Sequence, residues 1–381
     1  MNRTVLLTLG RLPKALDIAR SFAALGYRVV IAEPFRRHLA GVSRAVSRSI
    51  VVTAPATDRL RYLADLRRII DEEGVSLVVP VSEETMHVAF LRDALPPSTS
   101  LFAMAPQVLL ELHDKQRFIA RCAALGLGAP ETYALGTEAA AALAARSPFV
   151  VKPVLSCSGR GVSLHPAGAP LPTPPNGGKA IVQRCIEGDV FSSFSIADRG
   201  RARVTVVYRG AVMSGTVAVC FERVIDQPAI EQWVEAFVAR TGFSGFVSFD
   251  FVVERSGRVF AIECNPRATS GIHFVHPDDL ASTILDPAGE APVRFREQRT
   301  LQQLFPCLTE TQKSMFGPRF RSNLHHLLTA RDVTWQARDP LPLLTMPATS
   351  WPIIEMSIRR GCTFGEVATL DVGWYQDASA G

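Results

Sequence analysis

Several things are missing from this sequence, and each absence removes a class of function. There is no run of about 18 apolar residues, so no bilayer-spanning helix is implied. The seven cysteines are irregularly spaced and include no Cys-x-x-Cys pair. That argues against a disulfide framework and a zinc site, and for a reducing cytoplasm. The formal charge of +5 is small for 381 residues and the basic residues are scattered. Nucleic acid binding would want a clustered basic stripe. The N-terminal Met1–Gly10 stretch has neither a long apolar core nor a small-residue cleavage site, so it reads as a first strand and not as a signal peptide. Gly10-Arg11-Leu12-Pro13 lacks the G-x-G-x-x-G pattern of nicotinamide-dependent oxidoreductases.

What is present fits a globular protein, with 47% hydrophobic and 20% charged residues. The length is too great for one core, so two or three domains are expected. The first hundred residues alternate strand and helix. Val5–Leu9 is an apolar run, and Pro13–Leu25 is a helix that stops at Gly26. Arg28–Ala32 is a strand, Leu60–Glu73 a helix, and Val75–Val81 a buried strand. This rhythm predicts a parallel sheet covered by helices, with ligands gathering at the carboxyl ends of its strands. Gly10 and Ser82–Glu84 are candidates to line such a cleft. A helix is expected over Leu110–Leu125, another over Thr137–Arg146, and a strand over Phe149–Pro153. A Pro- and Gly-rich loop follows at Pro166–Gly178. Residues 180–254 are mostly strands, interrupted by a helix near Pro228–Thr241. Past Ala291 the pattern weakens, with short strands expected at Asp332–Trp335 and Pro352–Ile358.

Three constellations carry chemistry. Phe249-Asp250-Phe251 and Ala261-Ile262-Glu263-Cys264-Asn265 place acids within apolar strands separated by the turn Arg255-Ser256-Gly257. A carboxylate so placed is costly unless paired or metal-bound. Strand periodicity puts Glu263 and Asn265 on one face, and a hairpin can bring Asp250 alongside. Two carboxylates and an amide oxygen are hard ligands suited to Mg²⁺ held together with phosphates. The structural alternative is a pair of strand acids bridged to arginines. Second, Lys152 ends an apolar strand just before the Ser/Gly loop Ser156–Gly161. Lysine there can reach phosphate oxygens, and glycines let backbone N–H groups close over them. Third, Ala180–Gly188 is an extended segment followed by a turn, able to hold a purine ring.

Taken in order, Asp114-Lys115, Val-Val-Lys152-Pro, the glycine loop, Val-Gln183-Arg-Cys-Ile-Glu-Gly188, the acidic strand and Glu263-Cys-Asn-Pro-Arg267 resemble the ATP-grasp superfamily. The resemblance is in particular to its carboxylate–amine ligases, related to carbamoyl phosphate synthase and biotin carboxylase, and covers about Met1–Phe274. The resemblance implies an α/β protein: an N-terminal parallel βαβ (pre-ATP-grasp) domain, an ATP-grasp fold of two α+β subdomains, and a small C-terminal extension. The expected boundaries are 1–105, 106–290 with a lid over about 115–185, and 291–381. It implies that Lys115 and Lys152 contact the phosphates of ATP, under a loop carrying Ser156, Ser158, Gly159 and Gly161. It implies that Gln183, Arg184, Cys185 and Ile186 line the adenine pocket, with the backbone of Arg184 and Ile186 on the purine edge. Asp250, Glu263 and Asn265 would hold one or two Mg²⁺, with Mn²⁺ as a substitute. Arg267 and Lys152 would be the catalytic cations.

Three departures from the family pattern stand out. Gln183 replaces the usual glutamate, Asp250 replaces a more usual glutamate, and Val190 occupies the ribose-binding position, with Asp189 as its neighbour and stand-in. The implied reaction joins an activated carboxylate to an amine. The implied partners are small molecules, amino acids among them, with no nucleic acid and no membrane. A homodimer and a cytoplasmic location are compatible with this. Rival readings are a regulatory module that binds ATP without turnover and a bicarbonate-activating carboxylase, although no Met-Lys-Met biotin-carrier motif is found. Substrate choice is expected near Ser270, Gly271 and His273, with Ser82 and Glu83 reaching the same cleft, Glu83 suited to a substrate ammonium. His273 reads as structural, and Cys157 as an inert small residue.

Overall fold

The computed structural model describes residues 3–156, 159–173, 178–361 and 364–375. The chain begins with β1 (Thr4–Leu7), α1 (Pro13–Ala24), β2 (Arg28–Glu33), β3 (Arg48–Val51), α2 (Arg59–Glu73), β4 (Val75–Val79), α3 (Thr85–Val88) and β5 (Ser100–Leu101). The five strands form a parallel sheet in the order β3-β2-β1-β4-β5. Local chemistry sets the helix ends. Pro13 opens α1, where its missing N–H is harmless. Asp58 caps α2 by accepting from the Arg61 N–H, and Gly74 closes it in the left-handed conformation, φ +59°. Val5, Leu7, Val29, Ile31 and Val79 are fully buried in the core that includes Leu16, Ile18 and Phe22 of α1.

The helix expected over 110–125 is instead two, α4 (Pro106–His113) and α5 (Lys115–Ala124). Asp114 breaks them. Its backbone is extended, and its carboxylate accepts from the Arg117 N–H, 2.9 Å away. Aspartate competes for backbone donors and so favours a cap over a helix interior. The break puts Lys115 at the first position of α5, fully buried. Asp114→Ala is therefore expected to destabilise the protein by about 1 kcal/mol, read as a lower urea midpoint with an unchanged slope.

Next come β6 (Thr132–Ala134), α6 (Glu138–Arg146), β7 (Phe149–Pro153), β8 (Ser163–His165) and β9 (Ala180–Arg184). They build a four-stranded antiparallel sheet, β6-β9-β7-β8, backed by α6. A larger sheet follows from β10 (Asp189–Asp198), β11 (Arg201–Ser214), β12 (Val217–Val224), α7 (Pro228–Thr241), β13 (Gly245–Val253) and β14 (Val259–Asn265). One face of β13 is aromatic: Phe249 and Phe251 pack on Trp233 of α7, with ring centroids 5.0 and 5.1 Å apart. The opposite face carries Ser248 and Asp250, as a period of two requires.

After α8 (Pro277–Leu285), β15 (Thr300–Gln302) pairs antiparallel with β12, and β16 (Arg331–Asp332) extends the sheet to β14-β13-β10-β11-β12-β15-β16. Between and beyond them lie α9 (Leu304–Lys313), α10 (Phe320–Thr329), α11 (Leu341–Leu344), α12 (Met346–Thr349), α13 (Trp351–Arg360) and α14 (Phe364–Val367). Two expectations fail here. Of Asp332–Trp335, only Asp332 is in a strand, because its carboxylate turns back to accept from the N–H groups of Thr334 and Trp335. Pro352–Ile358 is helical, not a strand. Pro352 lies in the first turn, and the apolar side chains that pack inward, Ile353 and Met356, are three apart.

Candidate active site

The acidic face of β13 meets β14 in register. Asp250 lies opposite Glu263, Ser248 opposite Asn265, and on the other side Ser192 of β10 lies opposite Asp250. The Ser192 hydroxyl donates to Asp250 Oδ1 at 2.6 Å, and Asn265 Nδ2 donates to Oδ2 at 3.1 Å. Burial, and next the Glu263 charge, push the Asp250 carboxyl up to about 6. Two carboxylates this close repel unless a cation joins them. A divalent ion that keeps water or phosphate oxygens among its ligands needs only one or two carboxylates from the protein. Asp250 and Glu263 fit that requirement, and Asn265 Oδ1, which accepts from Arg267 at 3.1 Å, is the adjacent neutral oxygen.

Two lysines face these acids. Lys115 Nζ lies 3.4 Å from Glu263 Oε1 and donates to the Ser156 carbonyl at 2.7 Å. Lys152, at the end of β7, donates to Gln183 Oε1 at 2.9 Å. Burial lowers the Lys152 ammonium to about 8, the nearby Glu263 charge opposing the fall. Gln183 passes its own Nε2 to Thr132 Oγ1 at 3.0 Å, so its amide is held in one orientation from both ends.

Arg267 follows β14 and turns toward the parallel sheet. Its Nη2 is 2.5 Å from Glu83 Oε1, and both side chains are largely buried. Burial raises the Glu83 carboxyl, but Arg267, then His113 and Lys14, outweigh it and hold the group below its ordinary range. Glu83 was expected to offer a free acid to a substrate ammonium. The structure corrects this: its charge is matched by Arg267, which it aims. Ser82 is buried and its N–H donates to Glu84, while Gly10 donates to Glu33. Lys14 reaches across to the Ala268 carbonyl at 2.7 Å. His273 accords with its structural reading, held by Asp17 at 2.7 Å and stacked on Phe221. Ser270 and Gly271 lie in a short 3₁₀ turn, with Gly271 packed on Phe194 and Tyr208.

The remaining expected residues lie on the loop and the hinge. Ser156 is buried and receives Lys115 through both its carbonyl and its hydroxyl. Ser158 and Cys157 fall outside the described residues. Gly159 and Gly161 have φ of +66° and +69°, conformations that a side chain resists. The Arg184 N–H already donates to the Glu131 carbonyl, so that group is closed to a purine edge. Cys185 donates to Pro148. An open depression of about 770 Å³ lies along Arg184–Asp189, between Ser147–Pro148 and Val253–Ser256. It includes Ile186 and Asp189, but neither lysine nor either metal-candidate acid. Opposed charges converge at the lysine–carboxylate cluster and not at this depression. Val190, expected at the ribose position, is exposed.

Sequence reasoning missed Ser192, His113 and Lys14. Nothing near Ser192 in sequence marks it, because its role depends on the β10–β13 register. Lys14 was findable. Lysine occurs only five times in the chain, at 14, 115, 152, 179 and 313. Three of the five are buried at this cleft.

Residues 112–271 match the family model for an ATP-grasp domain. No curated protein sequence matches the chain. Solved structures of like fold include the N5-carboxyaminoimidazole synthetase of Staphylococcus aureus, with TM-score 0.63 and 13% identity over 83% of this chain and 88% of that one. The biotin carboxylase domain of 2-oxoglutarate carboxylase from Hydrogenobacter thermophilus, solved with MgADP, ADP and bicarbonate, gives 0.62 and 15% over 78% and 73%. The L-amino acid ligase of Bacillus licheniformis gives 0.55 and 16% over 75% and 71%. At these identities the likeness is one of fold.

Proposed function

From a chain that carries an ATP-grasp domain over residues 112–271, we propose a ligase that uses Mg·ATP to activate a carboxylate and joins it to an amine or similar nucleophile. The observation that carries this reading is the convergence of Lys115, Lys152 and Arg267 on Asp250, Glu263 and Asn265. That set pairs phosphate-binding cations with hard oxygen ligands, which a pure binding module has no need to keep.

In the first step a substrate carboxylate oxygen attacks the γ-phosphorus of ATP. The bond to the β-phosphate oxygen breaks and ADP leaves. In the second, the amine attacks the acyl carbon, phosphate departs with the bonding pair, and the amine loses a proton. Phosphoryl transfer asks chiefly for positioning and charge neutralisation. Lys115 and Lys152 stand ready for the phosphoryl oxygens. Arg267, aimed by Glu83, would meet the acyl phosphate. Magnesium, held by Asp250 and Glu263 with Asn265 beside them, would screen the phosphate charge. Water must be kept from the acyl phosphate, which gives the Ser156–Gly161 loop a purpose beyond grip.

The deciding experiment measures ADP and phosphate release with Mg·ATP against a panel of amino acids, small carboxylic acids and bicarbonate. Release that requires one acid and one amine supports the ligase. Release with bicarbonate alone supports the carboxylase reading. Tight nucleotide binding with no release from any combination favours the regulatory module, and no binding of MgATP ends the proposal.

The Lys152 ammonium also sets a pH dependence. Titrating at about 8, it is charged below that pH and neutral above it. Nucleotide phosphates favour the charged form, so binding takes up a proton above pH 8. The MgADP dissociation constant is expected to rise as pH climbs from 8 to 9.5, approaching tenfold per pH unit. A Lys152→Met variant should show weaker binding and lose that slope; calorimetry across pH reads both.

A further inference from the structure

We propose that Tyr375 is a positioning residue that fastens the Gly159–Gly161 end of the glycine-rich loop, beside the phosphate site proposed above, through Arg160. The contact stands on geometry alone; its effect on nucleotide rests on the function proposed above. The Arg160 guanidinium lies over the Tyr375 ring, 4.7 Å from its centroid, and its Nη2 donates to the Tyr375 hydroxyl. An arginine stacked on an aromatic face and bonded to its hydroxyl is held in both direction and depth.

The chain that delivers Tyr375 is anchored on several sides. Trp374 stacks on Phe90, with centroids 5.7 Å apart and planes within 8°. His87 donates Nε2–H to the Gly373 carbonyl at 3.2 Å, and His113 donates to that of Trp374 at 3.3 Å. Burial keeps both imidazoles neutral, lowering His87 to about 4. Asp371 takes both Arg11 amino groups, at 2.6 and 3.0 Å. Tyr375 folds back so closely that a Cβ on Gly373 would meet its hydroxyl at 2.2 Å, and that hydroxyl donates to the Thr369 carbonyl. The tyrosine is thus fixed before it meets Arg160.

The loop is clamped from its other sides as well. A Cβ on Gly159 would strike Thr216 in the β11–β12 turn at 2.5 Å, and one on Gly161 would strike Pro153. Gly365 packs on Val217 of the same turn. The C-terminal segment and the loop therefore share the hairpin tip as a common seat. At the loop's start, the Ser156 carbonyl and hydroxyl hold Lys115.

Arg160–Gly161 is itself a trypsin site, so the contact reports on its own release. In limited proteolysis of the full chain, cleavage after Arg160 should rise about tenfold in Tyr375→Ala, which loses both ring and hydroxyl. It should rise less in Tyr375→Phe, which keeps the ring. The MgADP dissociation constant, by calorimetry, should rise in the same order. Cleavage and affinity equal to the parent chain in a Tyr375→Ala protein of unchanged melting temperature would overturn the proposal. Should Tyr375→Ala fail to fold, Tyr375→Phe decides, and an unchanged cleavage rate with it overturns the proposal too. A parent chain that takes up no MgADP would remove the nucleotide reading, yet the cleavage series would still decide the latch.

Discussion

A Glu263→Gln protein is expected to fold normally and to lose turnover by about 100-fold or more. The substitution keeps the shape and removes one charge, and that charge does two things. It is half of the carboxylate pair, opposite Asp250 across β13 and β14, that suits a divalent cation. It also stands 3.4 Å from Lys115 Nζ and is the main charge opposing the desolvation of Lys152. With the carboxylate gone, Lys152 falls further below about 8 and is less charged at neutral pH. Mn²⁺ binding followed by electron paramagnetic resonance should weaken alongside the rate. Full activity with undiminished Mn²⁺ affinity would remove Glu263 from the site and with it the core of the proposed mechanism.

The largest loss of stability is expected from Arg11→Met, at about 3–5 kcal/mol. Arg11 is buried and binds Glu33 Oε1 through Nε at 2.8 Å and Nη2 at 2.5 Å, while both of its amino groups also donate to Asp371. Methionine fills much of the volume but leaves two carboxylates without their shared cation. Glu33, whose carboxyl Arg11 holds low against its burial, would be the costlier orphan. It would retain only the backbone N–H groups of Gly10, Arg11 and Phe35. The check is chemical denaturation of parent and variant, and a change under 1 kcal/mol would contradict the assignment. The same cluster argues against a nicotinamide enzyme. Glu33 ends β2 where a dinucleotide fold keeps an acid for the ribose, and here both of its oxygens are occupied.

The sequence made the order of elements legible wherever a strong local signal agreed with tertiary packing. The α7 helix and the β13–β14 hairpin fall where periodicity, Pro228 and the Ser256-Gly257 turn put them. Legibility failed where one residue's side chain overrides its neighbours, as Asp114 does by capping α5 and Asp332 by capping a turn. It failed again at Pro352–Ile358, where a short apolar run fits either period. At the candidate site, residue identities could be read but not their partners. That Glu263 and Asn265 share a face follows from periodicity; that Asp250 joins them depends on the hairpin register, and that Arg267 turns to Glu83, and Gln183 to Lys152, follows only from how separate sheets pack. Trp374 and Tyr375 gave no signal, since their meaning lies in residues far away in the chain.

The Arg11–Glu33–Asp371 cluster also bears on the order of assembly. A ribosome makes Arg11 and Glu33 within the first sheet and Asp371 only after the whole of the four-stranded and seven-stranded sheets. The nascent parallel sheet can pair Arg11 with Glu33, but the seat for residues 364–375 stays open until those residues have been made. His87, Phe90 and His113 lack their partners at Gly373 and Trp374 for that interval. Closure around the parallel sheet is therefore a long-range event, dependent on residues 371–375 reaching Arg11, His87 and His113.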